Sequence, residues 1–250
     1  MLAKLQNSPA PALLWQGNDG FILWDGKTMI ATDLDLTLGE RILPPTADVD
    51  ELAEKLDVLM ITHGHEDHFS TATVHKLLER DRCRFLIPES CREKAMGIEG
   101  LAERAVFCKP GDRLEMSGMQ VECIRALHGH IAGSVYSGAS LQDCGYRFSF
   151  GGLTLYQPGD TVLLEEHLEM CGVDVLFLSP TEHNTWIENS LRLIRSLQPK
   201  KIVFQHHSTY REAPDNLFWT HGYVQEVLDK LTMDEKALCI VPDQNTVIAL

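Results

Sequence analysis

The stretch Thr62-His63-Gly64-His65-Glu66-Asp67-His68 decides how this chain is read. Three imidazoles and the Asp67 carboxylate fall within six residues. The apolar run Val58–Thr62 ahead of them reads as a fully buried strand. Thr71–Arg80 behind them reads as a helix, with Ser70 as its N-cap. Gly64 is expected to let the backbone turn, so that the side chains converge instead of alternating across a strand. Imidazole nitrogen and carboxylate oxygen are the usual ligands of Zn²⁺ and similar ions, at about 2.0–2.2 Å. His63 and His65 can share one ion, with Asp67 and His68 turned toward a second. A polar loop that is merely rich in histidine is the plain alternative, and this spacing argues against it.

Further donors follow along the chain. Asp160 comes after Pro158-Gly159 at the end of the strand-like run Leu153–Gln157. A carboxylate there can bridge two cations, although an Asp making its own turn is common. His206 ends the strand-like run Lys201–Gln205. His207 is expected to point the other way, because successive strand side chains face opposite sides. His128-Gly129-His130 follows the run Gln120–Leu127 and offers two candidates. His183 lies in a polar loop just after the buried run Val173–Leu178 and is a candidate for lining a pocket. His75, His167 and His221 have no such context.

These motifs, in this order, resemble the metallo-β-lactamase superfamily, whose signature is His-x-His-x-Asp-His at the end of a buried strand. Asp33 matches the early aspartate that supports the histidine loop. Gly159-Asp160-Thr161 matches the turn whose Asp bridges both metals, and His206 matches the late metal-binding histidine. The resemblance implies a ligand set of His63, His65, His128, Asp67, His68, Asp160 and His206. It also implies that Asp67 accepts and returns a proton. His128 is favoured over His130 because the chain beyond follows the lactonase-like branch; Gly129-His130-Ile131-Ala132-Gly133-Ser134 also fits a glyoxalase-like pattern. On the first alignment Asp33, His130, His183 and His207 support or line the site. The opening Leu14–Phe21 and the tail from Ser179 resemble the branch of L-ascorbate-6-phosphate lactonase, though this chain is more compact. Arg147, Arg211 and Tyr210 are phosphate-contact candidates by position only.

The rest of the chain agrees with this reading. Strand-like runs at Ala12–Gln16, Phe21–Trp24 and Thr28–Thr32 precede the motif, the last two joined by the hairpin signal Asp25-Gly26. Arg84–Pro88 is strand-like and Glu89–Met96 helical. Runs at Arg113–Met116 and Tyr146–Phe150 complete the strand pairs. Helices at Ile187–Leu197 and Phe218–Leu231 then alternate with buried strands, and Ala237–Val241 is a last strand. An αββα sandwich of two mixed sheets, as one domain over residues 1–250, accommodates this order.

The chain has 250 residues, with 22 Lys and Arg against 36 Asp and Glu, a net charge of −14. That balance argues against a nucleic-acid binder, which needs a basic face. No signal-like or membrane-length apolar run is seen, so a cytoplasmic protein without membrane contact is expected. The seven cysteines contain no C-x-x-C pair and read as reduced thiols. P-loop, HExxH and G-x-S-x-G patterns all fail. The expected activity is hydrolysis of a small-molecule lactone or ester at two divalent ions. Zn²⁺ is the first choice, and Mn²⁺ or Fe²⁺ also suit such ligands. A phosphodiesterase or phospholipase-D-like hydrolase, and a non-catalytic ligand-binding member of the fold, are the alternatives. A homo-oligomer is compatible with all of these.

Overall fold

Alternation along the strands sorts the apolar side chains into three layers. Val58 and Met60 face one layer while Leu59 and Ile61 face another. Leu176 and Leu178 part in the same way from Val175 and Phe177. A strand with apolar residues on both faces must be covered on both, which a four-layer sandwich achieves. The computed structural model describes residues 1–37, 41–210 and 221–250.

The first half of the chain supplies β1 (Ala12–Gly17), β2 (Gly20–Trp24), β3 (Met29–Thr32), β4 (Val58–Met60), β5 (Arg84–Pro88) and β6 (Ala105–Cys108). The second supplies β7 (Arg113–Met116), β8 (Met119–Ala126), β9 (Asp143–Phe150), β10 (Leu153–Gln157), β11 (Val175–Leu178), β12 (Lys201–Phe204) and β13 (Cys239–Ile240). The last strand, β14 (Val247–Ala249), returns to the first sheet beside β1. Among the described residues the two sheets run β14-β1-β2-β3-β4-β5-β6 and β13-β12-β11-β10-β9-β8-β7. Each is mixed: β3 to β6 are parallel, as are β10 to β13, and the remaining pairs are antiparallel. The expected αββα sandwich is therefore the observed fold.

Helices α1 (Leu2–Gln6), α2 (Val49–Ala53), α3 (Thr71–Leu78) and α4 (Arg92–Met96) cover the outer face of the first sheet. Helices α5 (Glu165–Leu168), α6 (Trp186–Leu197), α7 (His221–Lys230) and α8 (Met233–Ala237) follow later in the chain. Ile187, Leu191 and Ile194 of α6 form one face, and they pack with Val224 and Val227 of α7 on the second sheet. Ser70 caps α3 as expected, accepting from Thr73 N at 3.3 Å.

Several boundaries differ from the sequence reading. The strand before the motif ends at Met60, although Ile61 N still bonds Leu86 O. The segment Glu89–Met96 begins as a 3₁₀ turn over Glu89–Cys91 before α4. The segment Ala237–Val241 holds the end of α8 and then the two-residue β13, because Thr232 and Glu235 form a capping box that starts a helix. The expected start of the last long helix at Phe218 lies outside the described residues. Strands β6 and β14 had no sequence signal. They are short edge strands, recognisable only by their partners. No helix among the described residues is long and apolar enough to cross a membrane.

Candidate metal centre

The predicted site residues lie just beyond strand ends. Asp33 follows β3, the histidine motif follows β4, His128 follows β8, Asp160 follows β10 and His206 follows β12. Carboxyl ends of strands in such sheets are where ligand sites collect, because the loops there are free of ladder constraints.

The loop after β4 is fixed from below. Asp33 is fully buried in left-handed backbone at φ 43°. Its carboxylate accepts from Thr62 N (2.8 Å), Thr62 Oγ1 (2.6 Å) and His68 Nδ1 (2.9 Å). That last bond places the His68 proton on Nδ1 and leaves the Nε2 lone pair for a ligand. The second sheet also grips the loop, since Tyr146 Oη donates to Ile61 O at 2.5 Å. Glu66, the acid of the motif that is not a predicted ligand, accepts from Thr71 N and pairs with Lys94.

The glycine that matters for this geometry is not Gly64. Gly64 lies outside the left-handed region, and an added Cβ would meet only Cys91 Sγ at 3.6 Å. The constraint sits at Gly159, with φ +63° and a Cβ position 2.6 Å from Thr62 Cβ. A side chain there would push the Asp160 turn off the histidine loop.

The donors converge. His63 Nε2 and His65 Nδ1 are 3.0 Å apart, and His65 Nδ1 and His128 Nδ1 are 3.2 Å apart. Asp160 Oδ2 lies 3.1 Å from His206 Nε2, 3.4 Å from His128 Nε2 and 3.6 Å from His68 Nε2. Asp67 Oδ2 lies 3.5 Å from His68 Nε2. The sets His63–His65–His128, Asp67–His68–His206 and His63–His68–Asp160 each bring their donor atoms within 4.8 Å of one another.

This arrangement fits cations by an independent test. Nitrogens about 2.0–2.1 Å from a tetrahedral ion stand about 3.3 Å from each other, close to the spacing found here. Asp160 Oδ1 is buried with no hydrogen-bond partner among the described residues, a costly state for a carboxylate unless a cation faces it. Burial, with the neighbouring His68 imidazole, pushes His63 well below the ordinary histidine pKa. Burial takes His128 down to about 4. Both are thus neutral imidazoles at pH 7, the form that ligates. Burial acts to raise Asp160, yet His206, His68 and His128 hold it well below the carboxylate range.

The remaining predicted residues separate. His130 turns away: its Nδ1 accepts from Ala132 N at 3.0 Å and its Nε2 lies 3.5 Å from Glu182. His183 is buried, with its ring 5.1 Å from that of His206 and 5.5 Å from that of His128. The His207 ring stacks on Trp15 at 4.7 Å. Strand pleating does not separate His206 from His207. The strand has ended at Phe204, and His206 stands in left-handed backbone at φ 59°. His167 is a hydrogen-bonded structural histidine, with Nε2 2.7 Å from Arg125 O. Arg147 is tied to Glu122 and the Cys171 carbonyl on the outward face of β9, so it is not at the site. Tyr210 donates to Asp35, and Arg211 lies outside the described residues.

Residues that the sequence reading did not single out complete the surroundings. Asn18 donates to Asp67 Oδ2 at 3.0 Å. Asp19 is fully buried, and its Oδ2 accepts from Gln205 at 2.9 Å. Tyr136 stacks on His128 at 4.6 Å. Asn18 and Asp19 look like ordinary turn residues in sequence, and only the tertiary fold brings them here. A separate trio, Cys108, Cys123 and Cys144, packs in the apolar layer between the sheets and shares no residue with the histidine cluster.

The two neighbouring histidines have different expected mutant effects. His128→Ala is expected to lose one equivalent of bound metal, whereas His130→Ala keeps both. Metal analysis of the purified variants checks this, and the reverse outcome would assign the ligand to His130.

Residues 12–206 match the family model described as beta-lactamase superfamily domain. The chain is 28% identical over 229 residues to a UPF0173 metal-dependent hydrolase of Heliobacterium modesticaldum, covering 85% of this chain and 89% of that one. It is 23% identical over 177 residues to a probable L-ascorbate-6-phosphate lactonase of Salmonella heidelberg, covering 62% of this chain and 50% of the lactonase. A metallo hydrolase from Ignicoccus hospitalis superposes with a TM-score of 0.70 at 22% identity, over 95% of this chain and 97% of that one.

Proposed function

The chain belongs to the metallo-β-lactamase superfamily and is a metal-dependent hydrolase, and from that premise we propose that it cleaves a carboxylic ester or lactone at a pair of divalent cations. The observation that carries this reading is the convergence of imidazole and carboxylate donors from separate loops on Asp160. His63, His65 and His128 would hold one cation, and Asp67, His68 and His206 the other, with Asp160 between them. Zn²⁺ suits this nitrogen and oxygen set best, and Mn²⁺ or Fe²⁺ also suit it. When bound, such ions lower the pKa of water from 15.7 to about 7 and polarise an acyl oxygen.

The side chains then have distinct tasks. Asp67 is a quarter exposed, so it sits where a carboxylate can hold a proton and return it to a leaving alkoxide. His68, oriented by Asp33, keeps its lone pair on the site. Tyr136, exposed on the loop after His128, stacks on the His128 ring at 4.6 Å and puts an aromatic face beside the donor cluster. Such a face can pack against the non-reacting part of a substrate.

The lactone class is supported by the lactonase relative, which is matched over half its length. Purified protein is expected to carry about two metal equivalents, to lose its activity with chelator and to regain it on metal addition. Metal-loaded enzyme is then assayed on lactone, ester, thioester and phosphodiester substrates. Turnover that survives complete metal removal would sink the mechanism. Turnover confined to the phosphodiester would sink the substrate class.

A further inference from the structure

Asn18 stands in the turn between β1 and β2, buried, with left-handed backbone at φ 46°. Its main chain is clamped at both ends. The N–H donates to Thr209 Oγ1 at 2.5 Å, and the carbonyl accepts from Trp15 Nε1 at 2.9 Å and from His206 N at 3.2 Å. Only the side chain is left to act, and it points into the donor cluster. Its Nδ2 donates to Asp67 Oδ2 at 3.0 Å and lies 3.3 Å from His68 Nε2. An ionised carboxylate only accepts, so the group facing Asp67 is the amide N–H₂.

One residue of the hairpin thus touches all three members of one donor set. It reaches Asp67 and His68 through its amide and His206 through its carbonyl. We propose that Asn18 is the positioning residue that assembles Asp67, His68 and His206 into a single cation site. This rests on the two-cation reading above. Asp67 is the least buried member of that set, at 25% side-chain exposure. With the amide on Oδ2, the oxygen nearest His68 Nε2, the carboxylate is held at one orientation, and that oxygen has a further lone pair for the cation. Hydrogen-bond partners of metal ligands typically contribute ten- to a hundredfold in metal affinity.

A purely structural role would need only an amino acid that tolerates the left-handed turn, and glycine does that without strain. Asn18→Gly therefore keeps the backbone bonds and deletes the amide. Asn18→Asp keeps the shape and the tolerance for the turn, and deletes the donor. Wild-type protein and both variants are titrated with Co²⁺, following affinity and visible absorption for each equivalent, with thermal melting as the fold control. Asn18→Gly is expected to bind the first equivalent as wild type does and the second about ten- to a hundredfold more weakly. The absorption of the second equivalent is expected to change in both variants. If Asn18→Gly does not fold, Asn18→Asp carries the test alone. Wild-type affinity and absorption for the second equivalent in the folded variants would overturn the role of Asn18 and leave the two-cation reading standing. Wild-type protein that takes up less than two equivalents would overturn both.

Discussion

Asp160→Asn is expected to lower the affinity for both cations together and to reduce kcat/KM by at least about a hundredfold, the upper scale for losing even an outer partner of a metal ligand. The reason is central placement. Asp160 Oδ2 lies within 3.6 Å of nitrogens of His206, His128 and His68. These histidines come from three separate loops, and the carboxylate lies between members of both proposed cation sites. Asparagine preserves the shape, but it removes the negative charge and places an N–H₂ where an acceptor is needed. The metal-free variant should still fold, because the apolar layers above and below the site are untouched. Metal content after gel filtration, together with kcat/KM, checks the prediction. Loss of a single equivalent would remove Asp160 from the bridging position.

Asp33→Asn is expected to be nearly as damaging to activity, although Asp33 is in none of the proposed cation sets. Its carboxylate fixes the Nδ1–H tautomer of His68 by accepting at 2.9 Å. An asparagine oxygen in the Oδ1 place keeps the bond from Thr62 N, but the N–H₂ then takes the Oδ2 place and faces both Thr62 Oγ1 and His68 Nδ1. The imidazole must place its lone pair on Nδ1 and its proton on Nε2, which removes the ligand lone pair from the site. Affinity for one cation should fall by about ten- to a hundredfold while the other is retained. Asp33→Ala should add a stability loss of about 1–3 kcal/mol for each donor left buried without a partner. Metal titration and denaturant melts of both variants separate the two effects. A fully metallated Asp33→Asn would show that His68 does not depend on Asp33 for its tautomer.

Much of the fold was legible because its signals are local. Val58–Met60 and Val175–Leu178 are continuous apolar runs, and a strand apolar on both faces implies cover on both. Ser70 announces α3 by capping chemistry alone. What was not local was misread or missed. Gly64 looked decisive because it sits inside the motif, whereas the constraint is at Gly159, nearly one hundred residues on, where a Cβ would strike Thr62. Strands β6 and β14 are a few residues long and become strands only by pairing with β5 and β1.

The same division runs through the site. The available donors can be read along the chain: the histidines and carboxylates of 62–68, and a carboxylate and a histidine following apolar strands. Residue type and strand-end position suffice for that, because ligand chemistry belongs to the side chain. Which of them face one another depends on how the loops pack. The loop after β8 folds on itself through Tyr136 N to His128 O and His130 N to Ser134 O, which leaves His128 beside His65 and turns His130 to Glu182. Asn18 reaches Asp67 only because β1 and β2 lie in the same sheet as β4. Contacts between residues distant in the chain depend on sheet order and loop closure, and those are properties of the packed layers rather than of any short stretch of sequence.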